Sequence, residues 1–185
     1  MNIAIDIDDT LADSFEYFMP FVAEYFGADL DFVQRNNISY STLPPEWKDR
    51  ELDFCKKYYG AKVPDTPFKP GAADAVRRLH AMGHRIVIIT GRTPDFYDDP
   101  YETTRIELAN GGIEYDKLIC TLTKDDACMA EKIDVLIDDL PQNCAAAEKC
   151  GVKAILFNSA GNREADVPFP RVNDWSEVME VLGAL

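Results

Sequence analysis

The stretch IAIDIDDTLADS, residues 3 to 14, sets four aspartates against an apolar run. Asp6 and Asp8 are two apart, so an extended backbone projects both carboxylates to the same side. A second acidic pair, Asp138 and Asp139, ends the run DVLIDD. Thr90, Gly91 and Arg92 end RIVIITGR, and Lys124 follows KLICT closely. Carboxylates gathered at one place raise one another's pKa and cannot all stay ionised without compensation. A divalent cation supplies that compensation. Hard oxygen ligands with positions left for water and substrate suit Mg²⁺ better than zinc, and Mg²⁺ commonly holds a phosphate between itself and the protein.

These groups meet only if the elements carrying them end at one edge. Continuous apolar runs at NIAIDI, 85–90, 117–121, 134–138 and 153–157 read as strands covered on both faces. Helical spacing fills the gaps at 71–82, 101–110, 143–149 and 175–182, with Gly83, Gly111 and Gly151 as stops and Asp174 as an N-cap. The alternation predicts an α/β fold, a doubly wound and mainly parallel sheet whose functional crevice lies beyond the carboxyl ends of its strands. Residues 14–69 break the pattern. They open with an amphipathic aromatic helix over 14–26, contain Pro44, Pro45, Pro64 and Pro67, and hold 13 of the chain's 20 aromatic residues. We expect a helical cap over 14–69, inserted into a core made of 1–13 and 70–185.

With 185 residues, 46% of them hydrophobic, the chain can bury a real core. A formal net charge of −14 repels nucleic acid and anionic membrane surfaces, so neither a nucleic acid polymer nor a membrane is an expected partner. A small phosphate ester remains open to it, because a bound ion reverses the field locally. Five cysteines without a CxxC pair predict reduced, mostly buried thiols and a cytoplasmic location. No basic segment precedes the first apolar run, as a signal peptide would require, and no run reaches the roughly 20 apolar residues of a membrane helix.

Taken in order, Asp6-Ile7-Asp8-Asp9-Thr10, the strand ending in Thr90, an isolated Lys124 and DVLIDD resemble the four motifs of the haloacid dehalogenase superfamily of phosphatases. The early cap, ITGR and LIDD resemble the deoxyribonucleotidase branch, 5′-nucleotidase type C, and its bacterial relatives. The resemblance implies a Rossmann-like core and roles by position. Asp6 would attack phosphorus to give an aspartyl phosphate, and Asp8 would act as general acid and then base. Thr90 and Lys124 would hold the phosphoryl oxygens. Mg²⁺ would be held by Asp6, the backbone carbonyl of Asp8 and an acid of the 138/139 pair, Asp139 being favoured as direct ligand and Asp138 as its support. Asp9 stands where many relatives have glycine.

The substrate implied is a small phosphorylated metabolite, most plausibly a nucleoside monophosphate, with a sugar phosphate as the alternative. Thr10, Gly91 and Arg92 are candidate substrate contacts, although Arg92 could equally brace the loop or the 138/139 acids. Phe18 and Trp47 are candidate cap contacts, set against the commoner role of an aromatic stripe as a packing face. The acidic loop 94–101 reads as solvated surface, and His80 and His84 as chemically silent. A receiver module would also combine acids, a threonine and a lysine, but it carries its phosphoacceptor on the third strand, where KLICT has no aspartate. A phospholigand sensor without chemistry is the third reading, and the complete set of reactive residues argues against it.

Overall fold

The structure is a computed structural model that describes residues 1–184. Six parallel strands form one sheet in the order β3-β2-β1-β4-β5-β6: β1 (Asn2–Ile5), β2 (Arg85–Thr90), β3 (Lys117–Cys120), β4 (Val135–Asp138), β5 (Lys153–Phe157) and β6 (Arg171–Val172). The short β6 is an addition to the five strands read from the sequence. β1 also stops at Ile5, although the parallel ladder continues one bond further, from Asp6 N–H to the Ile137 carbonyl at 3.0 Å.

Alternation along the strands explains both covered faces. Ile3, Ile5, Ile86, Ile88, Val135, Ile137, Ile155 and Phe157 point one way and pack with α4 (Ala72–Ala81) and α8 (Trp175–Ala184). Their sheet neighbours Ala4, Val87, Ile89 and Leu136 point the other way, against α6 (Lys124–Ala130) and α7 (Pro141–Lys149). The residues between them, Ala4, Val87, Leu136 and Leu156, are apolar as well because both sides are buried. Asp174 caps α8 by accepting from the Ser176 and Glu177 N–H groups.

The strand order fixes where function belongs. The chain runs outward from β1 to β3 and then returns to place β4 on the other side of β1. This reversal is a topological switch point, and it opens a crevice at the carboxyl ends of β1 and β4.

Between β1 and α4 lie α1 (Ser14–Phe26), α2 (Leu30–Arg35), α3 (Glu51–Lys62) and two 3₁₀ turns at Pro45–Arg50 and Val63–Asp65. Their apolar faces converge on a separate hydrophobic cluster containing Phe18, Val22, Val33, Phe54 and Tyr58. At the foot of this segment the chain enters and leaves side by side: Asp13 N–H donates to the Pro67 carbonyl and Lys69 N–H to that of Leu11, each at 2.8 Å. Gly27 ends α1 in the left-handed conformation (φ 69°) that a β-carbon disfavours. One part of the cluster comes from outside the segment. Tyr97, with Phe96 beside it, reaches in from the loop after β2, so 94–101 is only partly the solvated loop expected: Asp95, Asp98 and Asp99 are exposed while Tyr97 is buried. No helix among the described residues is long and apolar enough to cross a membrane, and all five cysteines are free, Cys55, Cys128 and Cys144 being buried.

Candidate active site

Immediately after β1 the chain winds tightly around one carbonyl: the N–H groups of Thr10, Leu11 and Ala12 all donate to Ile7 O at 2.9–3.2 Å. Ile7 is buried in the core, which turns its neighbours Asp6 and Asp8 toward the crevice. Asp9 adopts φ 59°, the left-handed region that favours glycine and tolerates Asn or Asp. Its carboxylate accepts from Phe15 N–H (2.8 Å) and from the Tyr40 hydroxyl (3.1 Å), so it braces the start of α1 instead of pointing into solvent.

Lys124, the first residue of α6, reaches back under this loop. Its Nζ lies 2.6 Å from Asp6 Oδ1 and 2.7 Å from Asp138 Oδ2. Burial lowers its proton affinity, but Asp138 and Asp6 outweigh burial and hold it ammonium. Asp6 is itself pushed up to about 7 by burial, against the pull of Lys124 and helped by Asp138 and Asp8. Asp138 is fully buried and already well supplied with donors: Lys124, the Leu140 N–H at 2.8 Å and the Asn143 side-chain amide at 3.1 Å. Asp139 differs. It lines the cavity, its carboxylate finds no hydrogen-bond donor among the described residues, and burial together with Asp6 and Asp138 pushes it well above the usual carboxylate range. Its backbone is pinned by Asn162, whose amide donates to the Asp139 carbonyl at 2.7 Å.

One oxygen from each of Asp6, Asp138 and Asp139 lies within 4.8 Å of the others. Three buried acids facing one lysine leave negative charge uncompensated, and the donor set is all oxygen. Such a site fits a hard divalent cation.

Thr90 ends β2 fully buried, and its Oγ1 has no hydrogen-bond partner. A buried hydroxyl without a partner costs about 1–3 kcal/mol, so it is poised for an acceptor that the protein itself does not provide. Gly91 and Arg92 follow at the cavity wall. The cavity has a volume of about 330 Å³ and is lined by Asp6, Asp8, Asp9 and Asp139, but not Asp138, together with Phe15, Phe18, Tyr40, Tyr59, Phe96 and Tyr97.

Two residues read as substrate contacts lie elsewhere. Trp47 stacks flat on Phe26, with ring centroids 4.6 Å apart, and does not line the cavity. Thr10 is rolled back into the core by the turn around Ile7, and its carbonyl accepts from the Trp175 indole N–H at 3.2 Å. Arg92 lies at the cavity wall, but its guanidinium is committed to Asp8, Thr104 and Glu107. Of the two roles read for it, bracing is the one its donors perform, and the acid it braces is Asp8 rather than 138 or 139.

The sequence reading missed Glu107, buried on α5 (Pro100–Asn110), together with Tyr40, Tyr59 and Asn143. The signal for Glu107 was available in principle. Thr104 and Glu107 sit three apart beside Leu108 on the inward face of a helix, where a lone acid calls for a cation.

A parallel α/β sheet with an acidic switch point, a buried lysine and a helical insertion after β1 is the architecture of the haloacid dehalogenase class of phosphatases. The family described as 5′ nucleotidase, deoxy (pyrimidine), cytosolic type C matches residues 1–184, and the chain belongs to it. A protein of Oceanobacillus iheyensis provisionally named a nucleotidase is 24% identical over 192 residues, covering 97% of this chain and 98% of its own. A phosphoglycolate phosphatase of Cereibacter sphaeroides is 29% identical over 136 residues, which is 66% of this chain and 57% of that protein. Among solved structures, a haloacid dehalogenase family hydrolase of Deinococcus radiodurans with bound phosphate and sodium superposes with a TM-score of 0.67. It is 16% identical, and the match covers 99% of this chain and 95% of that one. The chain is a phosphatase of this class.

Proposed function

We propose that the protein is a Mg²⁺-dependent phosphomonoesterase that acts through an aspartyl phosphate on Asp6, with a (deoxy)nucleoside 5′-monophosphate as substrate. The observation that carries this reading is the cavity floor. Asp6, braced by Lys124, lines the cavity together with Asp8 and Asp139, and the buried, unpartnered Thr90 hydroxyl stands at the end of β2, immediately before the lining residues Gly91 and Arg92.

In the first half-reaction an Asp6 oxygen attacks phosphorus, the ester P–O bond breaks, and Asp8 gives its proton to the departing alkoxide. Burial favours the protonated form of Asp8, but the Arg92 guanidinium outweighs it and holds the free carboxyl below its ordinary range. An arriving phosphate brings its own negative charge beside Asp8, which raises its proton affinity. In the second half-reaction a water attacks phosphorus, Asp8 takes the water's proton, and the bond to Asp6 breaks to release phosphate. Lys124 and Thr90 supply donors for the equatorial oxygens. Asp6, Asp139 and the Asp8 carbonyl would hold the Mg²⁺, with Asp138 supporting from behind, and the ion would neutralise phosphoryl charge.

The size of the substrate is argued from the cavity, whose volume suits a small metabolite and not a polymer. Its aromatic wall favours a flat, apolar moiety carried behind the phosphate, as a nucleobase is. The unit 14–69 acts as a cap that keeps bulk water from the phosphoenzyme. The test is a panel of ribo- and deoxyribonucleotides, sugar phosphates and phosphoglycolate, run on wild type and Asp6→Asn with Mg²⁺. A preference for deoxynucleotides that vanishes in Asp6→Asn supports the reading. Equal turnover by the variant removes Asp6 from its role, and preference for a sugar phosphate or phosphoglycolate replaces the substrate.

A further inference from the structure

Arg92 is nearly completely buried, and every one of its donors is occupied. Nε donates to Asp8 Oδ2 (3.2 Å) and Nη2 to Asp8 Oδ1 (2.9 Å), a side-on fork on one carboxylate. Nη2 also donates to Glu107 Oε1 (3.2 Å), and Nη1 donates to Glu107 Oε2 and to Thr104 Oγ1 (3.3 Å). A guanidinium has five N–H groups, and these contacts use all five. The Tyr97 ring covers the guanidinium at 5.7 Å. Arg92 thus offers no donor to an incoming phosphate.

A buried charged cluster of this kind is poor evidence of stability, since apolar side chains of similar size commonly pack as well or better. Its consequence lies at Asp8. Each carboxylate oxygen has about two acceptor sites. Oδ1 is filled by Arg92 and by the Ser14 hydroxyl at 2.7 Å, whereas Oδ2 has Arg92 alone among the described residues. The fork fixes the carboxylate plane, and Glu107 in turn fixes the fork.

We infer that Arg92 and Glu107 are positioning residues that hold Asp8 in one orientation and leave Oδ2 as the oxygen that carries the transferred proton. This rests on the reading of Asp8 as the general acid, and it adds a pair of residues whose polar groups are committed to each other and to Asp8 rather than to substrate. It makes a distinction that a structural role does not. Misplacing the acid slows phosphoenzyme formation from a substrate whose leaving group needs a proton and spares that step for one whose leaving group departs without it. Asp8's later work as base falls on the phosphoenzyme common to both substrates and does not enter kcat/KM.

The experiment compares a deoxynucleoside 5′-monophosphate with 2,4-dinitrophenyl phosphate, both with Mg²⁺, in wild type, Arg92→Lys and Glu107→Gln. Arg92→Lys keeps the charge and removes the fork; Glu107→Gln keeps the shape and weakens the grip on Arg92. The expected result is a fall in kcat/KM on the order of 100-fold for the alkyl ester in Arg92→Lys, with kcat/KM for the aryl ester changed less than about threefold. Glu107→Gln should show the same selectivity at smaller amplitude. It carries the comparison should Arg92→Lys fail to fold. Equal losses of kcat/KM on both esters, or no loss on either, would overturn the inference. Wild type separates this failure from that of the underlying reading: if it cleaves neither ester, the phosphatase reading falls first.

Discussion

Replacing Asp9 with Asn is expected to stabilise the protein at neutral pH and to do so by much less in acid. Asp9 is almost wholly buried, and its carboxyl is raised from 3.8 to about 6 by burial, against the Phe15 N–H bond and with Asp8 adding to the rise. A carboxyl held at about 6 is disfavoured in its ionised form by about 3 kcal/mol relative to the unfolded chain. The native state therefore binds more protons than the unfolded state between 3.8 and 6, and stability falls as pH rises through that window. At pH 4.5 about 1 kcal/mol has already been lost; by pH 7.5 the full 3 kcal/mol has gone. Asn removes the ionisation, tolerates φ 59°, accepts from Phe15 N–H through its carbonyl, and can donate its amide to Tyr40. Urea unfolding of both proteins in chelator, at pH 4.5 and 7.5, measures the difference. The advantage of Asp9→Asn should grow by about 2 kcal/mol between the two pH values. An advantage that is constant or shrinks refutes the electrostatic argument.

Lys124→Met should abolish turnover and lower stability by about 3–5 kcal/mol, because it strands Asp6 and Asp138 as buried acids; denaturant midpoints and phosphate release check both effects. Asp139→Asn should raise the melting temperature in chelator, since it removes a carboxyl that burial, Asp6 and Asp138 disfavour as an anion. It should also erase the rise that Mg²⁺ produces in wild type, and a Mg²⁺-induced shift surviving in the variant would move the ion elsewhere. Phe18→Ala should cost about 3–5 kcal/mol and raise KM for the nucleotide. Trp47→Ala, distant from the cavity, should leave KM within about twofold in the same steady-state assay.

The sheet and the acidic floor were legible because their signals are redundant. Apolar runs, glycine stops and reactive residues at strand ends all specify one parallel architecture, and Asp6, Lys124, Asp138 and Asp139 meet where that architecture reverses direction. Spacing alone does not distinguish Asp138 from Asp139; the difference lies in the fold, where Leu140 N–H and Asn143 already serve Asp138. Cap aromatics were harder, because helical spacing tells which residues share a face and not what that face meets: Phe18 lines the cavity whereas Trp47 stacks on Phe26. Tyr97 was hidden by the exposed aspartates around it, and Thr10 by a turn whose path depends on three bonds to a single carbonyl. A strand of two residues such as β6 carries no periodicity at all.

Everything rests on Asp6 making a bond to phosphorus. Acid quenching during turnover, followed by borohydride reduction and peptide mass spectrometry, reads that bond directly, because an aspartyl phosphate is reduced to homoserine. Homoserine is expected at position 6, and only when substrate and Mg²⁺ are supplied. Homoserine at another aspartate, or active turnover with no reduced residue at any quench time, would contradict it.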